Sequence, residues 1–183
     1  VIILGVSGLG VQLAAMRERK MLRNIHLTPM PTWVFFASLV LFRLVFLGIQ
    51  VAAILIVGCA VFHTRFTGDP FSIGFLTLLG AAVFLGIGAL VGSLAKDTEA
   101  ANAVSMLVSG PMILFSDGYV PIDRFPSPVT SLLRLLPTTQ FVDALRGVTT
   151  GGEPLWHFSG WLAVLACWAF ATSFAGMRLF KWA

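Results

Sequence analysis

Two uninterrupted apolar runs, about 33–62 and 71–95, constrain this chain more than any other feature. Each is long enough to carry a helix across a bilayer core, which takes roughly 20 apolar residues. Neither alternates in the manner of a transmembrane β-strand, whose segments of about ten residues change polarity at every step. A backbone surrounded by lipid must satisfy its own hydrogen bonds, so helices are the expected form. Composition agrees: 57% of the 183 residues are hydrophobic and 11% are charged, against about a quarter charged in a soluble domain. The expected fold is all-α, a polytopic transmembrane helical bundle forming a single domain over residues 1–183.

Further spans are expected over about 1–15, 100–116 and 156–177. The first is too short to cross alone. Because the chain opens on Val1 inside it, we expect a span whose start lies upstream, and no charged stretch precedes it to mark a signal peptide. Its Gly5-Val6-Ser7-Gly8-Leu9-Gly10 lacks the Gly-Lys-Ser/Thr of a phosphate loop and the strand before it. Small residues for close helix packing are the better account. Gly88 and Gly92, with Ala82 and Gly86, form a second such ridge, and Pro111 is expected to kink the span that contains it. Asp97 or Thr98 can cap that span. Trp156, Trp161 and Trp182 belt the last one.

Between the last two spans, about 128–147 reads as two short helices dipping into one membrane edge. Ser127-Pro128 resembles an N-cap followed by a first-turn proline. Phe141, Leu145 and Val148 share one helical face, while Asp143 and Arg146 pair three apart on another.

Alternating the spans places Arg17, Arg19, Lys20, Arg23, Lys96, Arg178 and Lys181 on one side. Arg65, Arg124, Arg134 and Arg146 fall on the other, among Asp69, Asp117, Asp123, Asp143 and Glu153. The excess of cations makes the first side cytoplasmic. Net charge is +4, but these cations sit at span ends and short loops, without the stripe that phosphate tracking needs, so nucleic acid is not an expected partner.

His26, His63 and His157 are scattered without metal-ligand spacing. No nucleophile elbow, triad or paired carboxylates stand out, so no catalytic, cofactor-binding or metal residues are expected. Cys59 and Cys167 lie inside apolar runs and read as packing residues. Arg43 lies inside a span and either snorkels to the cytoplasmic interface or contacts a partner or substrate within a helical assembly. Gln50, two turns deeper, is expected to face other helices or a polar path.

The remaining feature is Arg17-Glu18-Arg19-Lys20, followed by Arg23 and His26 and ending in Thr28-Pro29-Met30-Pro31. Met21, Leu22 and Ile25 fall on one helical face, so a helix over about 17–31 is expected to lie in the interface plane. It would anchor on anionic lipids or dock a soluble protein.

With the Leu27-Thr28-Pro29-Met30-Pro31-Thr32-Trp33 that follows, this segment resembles the Arg-Glu-Arg and Thr-Pro-Leu-Pro elements of type 2 ABC exporter permeases. Phe115-Ser116-Asp117-Gly118-Tyr119-Val120-Pro121-Ile122-Asp123-Arg124-Phe125-Pro126 resembles that family's Ser-x-x-x-x-Pro-x-x-x-x-Pro element. Pro137-Thr138-Thr139-Gln140-Phe141-Val142-Asp143-Ala144-Leu145-Arg146-Gly147 is similar to its closing signature. The Ser-to-Pro variant is most similar to the daunorubicin-resistance drug-efflux branch. Family members usually have six spans, which implies that this chain lacks the first span and part of the second.

The resemblance implies a permease subunit of the bacterial cytoplasmic membrane that exports hydrophobic or amphipathic substrates (drug-like, lipid or glycan). It implies a second permease copy, homo- or heterodimeric, and a separate ABC ATP-binding subunit that holds ATP and Mg. Arg17, Glu18, Arg19, Lys20 and Arg23 would belong to a coupling helix for that subunit, and Gln50 and Arg43 could line the translocation path. Ser116, Pro121, Pro126, Pro137, Asp143 and Arg146 would belong to an outer rim built by the two re-entrant helices. The alternative is a membrane scaffold or assembly protein without a transport path, whose basic segment grips lipid.

Overall fold

The computed structural model describes residues 1–19, 32–62, 68–116 and 126–179, and every regular element among them is helical. The helices are α1 (Ile2–Glu18), α2 (Thr32–Phe62), α3 (Pro70–Leu94), α4 (Thr98–Leu114), α5 (Ser127–Leu133), α6 (Pro137–Thr149) and α7 (Ser159–Leu179). A 3₁₀ turn, Leu155–Phe158, leads into α7. Among the described residues, three stretches are long and apolar enough to cross a membrane: Ala37–Ala60, Pro70–Leu94 and Leu155–Gly176.

Local chemistry starts and stops these helices. Asp69 caps α3 by accepting from the Ser72 amide and hydroxyl, both at 3.2 Å, and Pro70 supplies a pre-set first turn. Asp97 caps α4 by accepting from the Ala100 amide at 2.7 Å. Pro111 sits in the last turn of α4, where a missing amide costs one backbone bond and the helix continues to Leu114. At α5 the cap differs from expectation. Ser127 is already helical. Instead Pro126 is the N-cap, and its carbonyl accepts from the Val129 and Thr130 amides. A helix start can shift by a residue without changing packing.

The centre of the bundle is α3, which packs most extensively on α7 and α1 and then on α6. In its most apolar stretch 61% of residues are buried, against 6% in α2 and 17% in α7, so α3 is the core and α2 is the outer, largely exposed helix. Val6, Val83, Phe84, Ile87, Val91, Met112, Phe141 and Leu165 form the main cluster, drawn from five helices. Cys59 and Cys167 lie on exposed helix surfaces, not in the packed interior expected for them.

Glycines set how closely the helices approach. A Cβ on Gly10 would lie 2.9 Å from the Gly88 carbonyl oxygen, and one on Gly92 would lie 2.8 Å from that of Gly10. A Cβ on Gly88 would collide with the Gly5 and Val6 carbonyl oxygens. The backbones of α1 and α3 thus touch directly, as small residues permit in lipid. The expected single ridge on α3 is divided, however. Gly88 and Gly92 meet α1, while Gly86 meets Thr172 and Ser173 of α7.

These contacts also fix direction. Gly5 and Gly10 meet α3 in ascending order, and Gly86 and Leu90 meet Thr172 and Gly176 likewise, so α1, α3 and α7 run parallel. Ala14 packs on Ala101 and Gly10 on Ser105, which makes α4 antiparallel to α1. One end of the bundle therefore collects Arg17, Arg19, Lys96 and Arg178. The opposite end carries α5, the start of α3 and the end of α6, where Gly68 lies against the Val148 carbonyl.

Candidate functional site

At the cationic end, α1 does not stop near residue 15. It runs through Glu18, so Arg17 and Glu18 form its last turn and do not begin a separate interfacial helix. Lys20, Arg23 and the rest of the expected 17–31 helix lie outside the described residues. Arg17 is half-buried and its Nη1 donates to the Ser93 carbonyl, 3.4 Å away at the end of α3. Glu18 Oε2 accepts from the Thr98 amide at 3.2 Å and the Thr98 hydroxyl at 2.5 Å, at the start of α4. Each charge faces the helix end whose dipole favours it: the cation meets free carbonyls, the carboxylate meets free amides. Arg19 is exposed.

The Thr98 hydroxyl, then the Thr98 amide, hold the Glu18 carboxyl below its ordinary value of 4.5; Arg19 adds in the same direction, while desolvation and Asp97 oppose. A carboxylate stabilised by its folded partners contributes fully above pH 4.5 and loses that contribution as acid takes it through its depressed folded value. We therefore expect the difference in melting temperature between wild type and Glu18→Gln to be constant near neutrality and to shrink only below 4.5. Detergent-solubilised thermal unfolding across pH tests this; a difference that vanishes above 4.5 would contradict the contact.

Arg43 is half-buried and is held by α1. Its Nη2 donates to the Gly8 carbonyl and to Gln12 Oε1, both at 2.7 Å, pinning α2 to α1. Gly8 is what admits it, since a Cβ there would lie 2.7 Å from Arg43 Nη1. Gln50 lies seven residues further along α2. Its Oε1 is shielded without a partner among the described residues, beside a shallow recess lined by Ala53, Ile54, Val57 and Gly58. A separate apolar groove of about 460 Å³ runs between α2 and α3, lined by Leu47, Val51, Leu55, Ile73, Thr77 and Ala81. Thr77 contributes no free hydroxyl there, because it donates to the Ile73 carbonyl of its own helix at 2.8 Å.

At the opposite end, Thr139 and Gln140 assemble the short helices. The Thr139 hydroxyl shares its one proton between the Leu133 carbonyl at 2.9 Å and the Phe115 carbonyl at 3.2 Å. Gln140 Nε2 donates to the Arg134 carbonyl at 3.0 Å. The first turn of α6 thereby bonds to carbonyls at the ends of α4 and α5. Of the residues expected at this rim, Ser116 is buried and its hydroxyl donates to Ile113 O at 2.7 Å. Pro126 caps α5, Pro137 opens α6, Asp143 is half-buried and Arg146 exposed. Pro121 lies outside the described residues.

Sequence reasoning missed Gln12, Thr98, Thr139 and Gln140 as partners. A signal existed for Gln12, a lone amide in an apolar stretch neighbouring the one that holds Arg43. Thr139 and Gln140 carried a weaker one, as polar residues just behind a helix-opening proline.

Comparison with known proteins shows the family of the chain. The family described as ABC-2 family transporter protein matches residues 1–178. The putative transport permease YvfS of Bacillus subtilis (strain 168) is 24% identical over 152 residues, covering 82% of this chain and 62% of that protein. Nodulation protein J of Rhizobium meliloti (strain 1021) is 25% identical over 126 residues, covering 69% of this chain and 47% of its own length. The chain thus spans roughly half to three-fifths of these curated relatives. With the family matched almost from end to end on an all-helical, membrane-crossing bundle, the chain belongs to the ABC-2 transporter family, as a multi-pass membrane permease domain.

Proposed function

We propose that this domain is the membrane half of an ATP-driven exporter, moving hydrophobic or amphipathic molecules outward across a bacterial cytoplasmic membrane. It works beside a second permease copy and with a separate ATP-binding subunit that supplies ATP and Mg. The observation that carries the reading is the cationic corner. There the last turn of α1, immediately before the basic 19–23 segment, is bonded to both sides of the α3–α4 turn. A soluble motor that grips the basic segment from the cytoplasm acquires leverage on three helices at once. The family match and a relative named as a putative transport permease support the same assignment. Of the drug-like, lipid and glycan substrates expected, the first two suit the apolar groove between α2 and α3. Gln50 is the polar group we assign to the translocation path. Arg43 supports that path indirectly, by holding α2 on α1. Ser116, Pro126, Pro137, Asp143 and Arg146, with Pro121, form the outer rim.

The docking role falls to Arg19, Lys20 and Arg23, because Arg17 is engaged inside the bundle. Reversing charge at Arg19 and Arg23 together should reduce copurification of the ATP-binding subunit at least about tenfold, since rim charges act through association. Membrane insertion and melting temperature should stay unchanged. Full copurification of that variant would remove the docking role.

A further inference from the structure

We propose that Glu18 and Thr98 are positioning residues that link the end of α1 to the start of α4, so that movement of the basic segment is delivered to the far end of the bundle. This rests on the exporter reading above and adds to it a route. Glu18 and Thr98 are 80 residues apart, so nothing local requires their contact. Arg17 and Glu18 are adjacent, yet they grip different helix ends, Ser93 on α3 and Thr98 on α4. Beneath them Ala14, Ala95 and Ala101 pack into a small buried cluster with Val11 and Ala100 against it, so the ends of the three helices meet through short side chains. Below that the backbones of α1 and α3 are in direct contact at Gly10, Gly88 and Gly92. A shift of α1 is therefore not absorbed locally.

The other end of α4 completes the path. Its C-cap, Phe115, offers its carbonyl to Thr139, which also holds the Leu133 carbonyl of α5. A helix of this length transmits displacement as a rigid element, so a pull on Thr98 arrives at the short helices α5 and α6. The bonded groups are at an exposed corner, where the bond can break and re-form during a cycle. Physical coupling, not proximity, is the property to measure.

The test uses the intact permease purified with its ATP-binding subunit in lipid nanodiscs, as wild type, Thr98→Val, Thr98→Ser, Glu18→Ala and the double variant Glu18→Ala/Thr98→Val. Amide hydrogen exchange is followed over 95–101 and 127–140, without nucleotide and with Mg-ATP trapped by vanadate. Without nucleotide, Glu18→Ala should speed exchange over 95–101 roughly tenfold, as loss of a charge-assisted bond implies. The double variant should add little to that. With trapped nucleotide, wild type and Thr98→Ser should change exchange at 127–140, whereas Thr98→Val should lose most of that response while still copurifying the ATP-binding subunit. A full response in Thr98→Val, additive effects in the double variant, or a wild type with no response at 127–140 would each overturn the linkage. Failure of the wild type to copurify any ATP-binding subunit would instead remove the exporter reading on which the linkage stands.

Discussion

Replacing Gly88 by valine is expected to be strongly damaging to the bundle. The added Cβ has no room, because the atoms it meets are the carbonyl oxygens of Gly5 and Val6, which belong to backbone and cannot rotate away. Overpacking of a well-filled interior costs about 1–3 kcal/mol, occasionally more. The β-branch at this position takes the upper end of that range. The helix-propensity gain on leaving glycine is below about 1 kcal/mol and does not compensate. We expect a loss near 3 kcal/mol, or a fall in melting temperature of roughly 6–12 °C for a chain of this size. Gly48→Ala on α2 is the control, because a Cβ there meets nothing within 4 Å. It should leave stability unchanged or slightly raised. Equal melting temperatures for the two variants would show that α1 and α3 do not touch as described. The functional consequence follows directly: α1 pushed off α3 carries Arg17 away from Ser93 and Glu18 away from Thr98.

The second large effect concerns Arg43. Gln12→Leu removes one of its two acceptors and leaves a guanidinium inside an apolar span holding the Gly8 carbonyl alone. A hydrogen bond to a charged group is worth about 1.5–3 kcal/mol, and an unpaired arginine in a span costs a few kcal/mol on insertion scales. We expect Gln12→Leu to destabilise by about 2 kcal/mol. Gln12→Leu combined with Arg43→Met should recover most of that, because removing both partners leaves no stranded charge. Additive losses in the double variant would contradict the pairing. An arginine that merely snorkels would be indifferent to residue 12, so the cycle also separates the two earlier expectations for Arg43.

The helices themselves were legible because their causes are local. A long apolar run needs no partner to be read as a span, and Asp69-Pro70 and Asp97 announce α3 and α4 within four residues of their starts. The cap at α5 falls one residue earlier than expected, because Ser127 and Pro126 are both compatible with a helix start and end assignments shift by a residue. The amphipathic face of α6 was visible in Phe141 and Val148, since its period is carried within thirteen residues.

Partnership between helices was not legible. Helix rotation and axial register decide whether Glu18 meets Thr98 or solvent, and neither quantity is encoded in a short window. The same holds for the division of the α3 glycines between two neighbours and for the choice of Gly8 and Gln12 as acceptors for Arg43. By itself the sequence determined that this chain forms membrane-length helices and which of their ends gather positive charge, because hydropathy and charge act residue by residue. Only the tertiary structure decided that α3 is the core, that α1 ends bonded to two other helices, and that α6 fastens the ends of α4 and α5, because those outcomes depend on which surfaces fit one another at backbone distance.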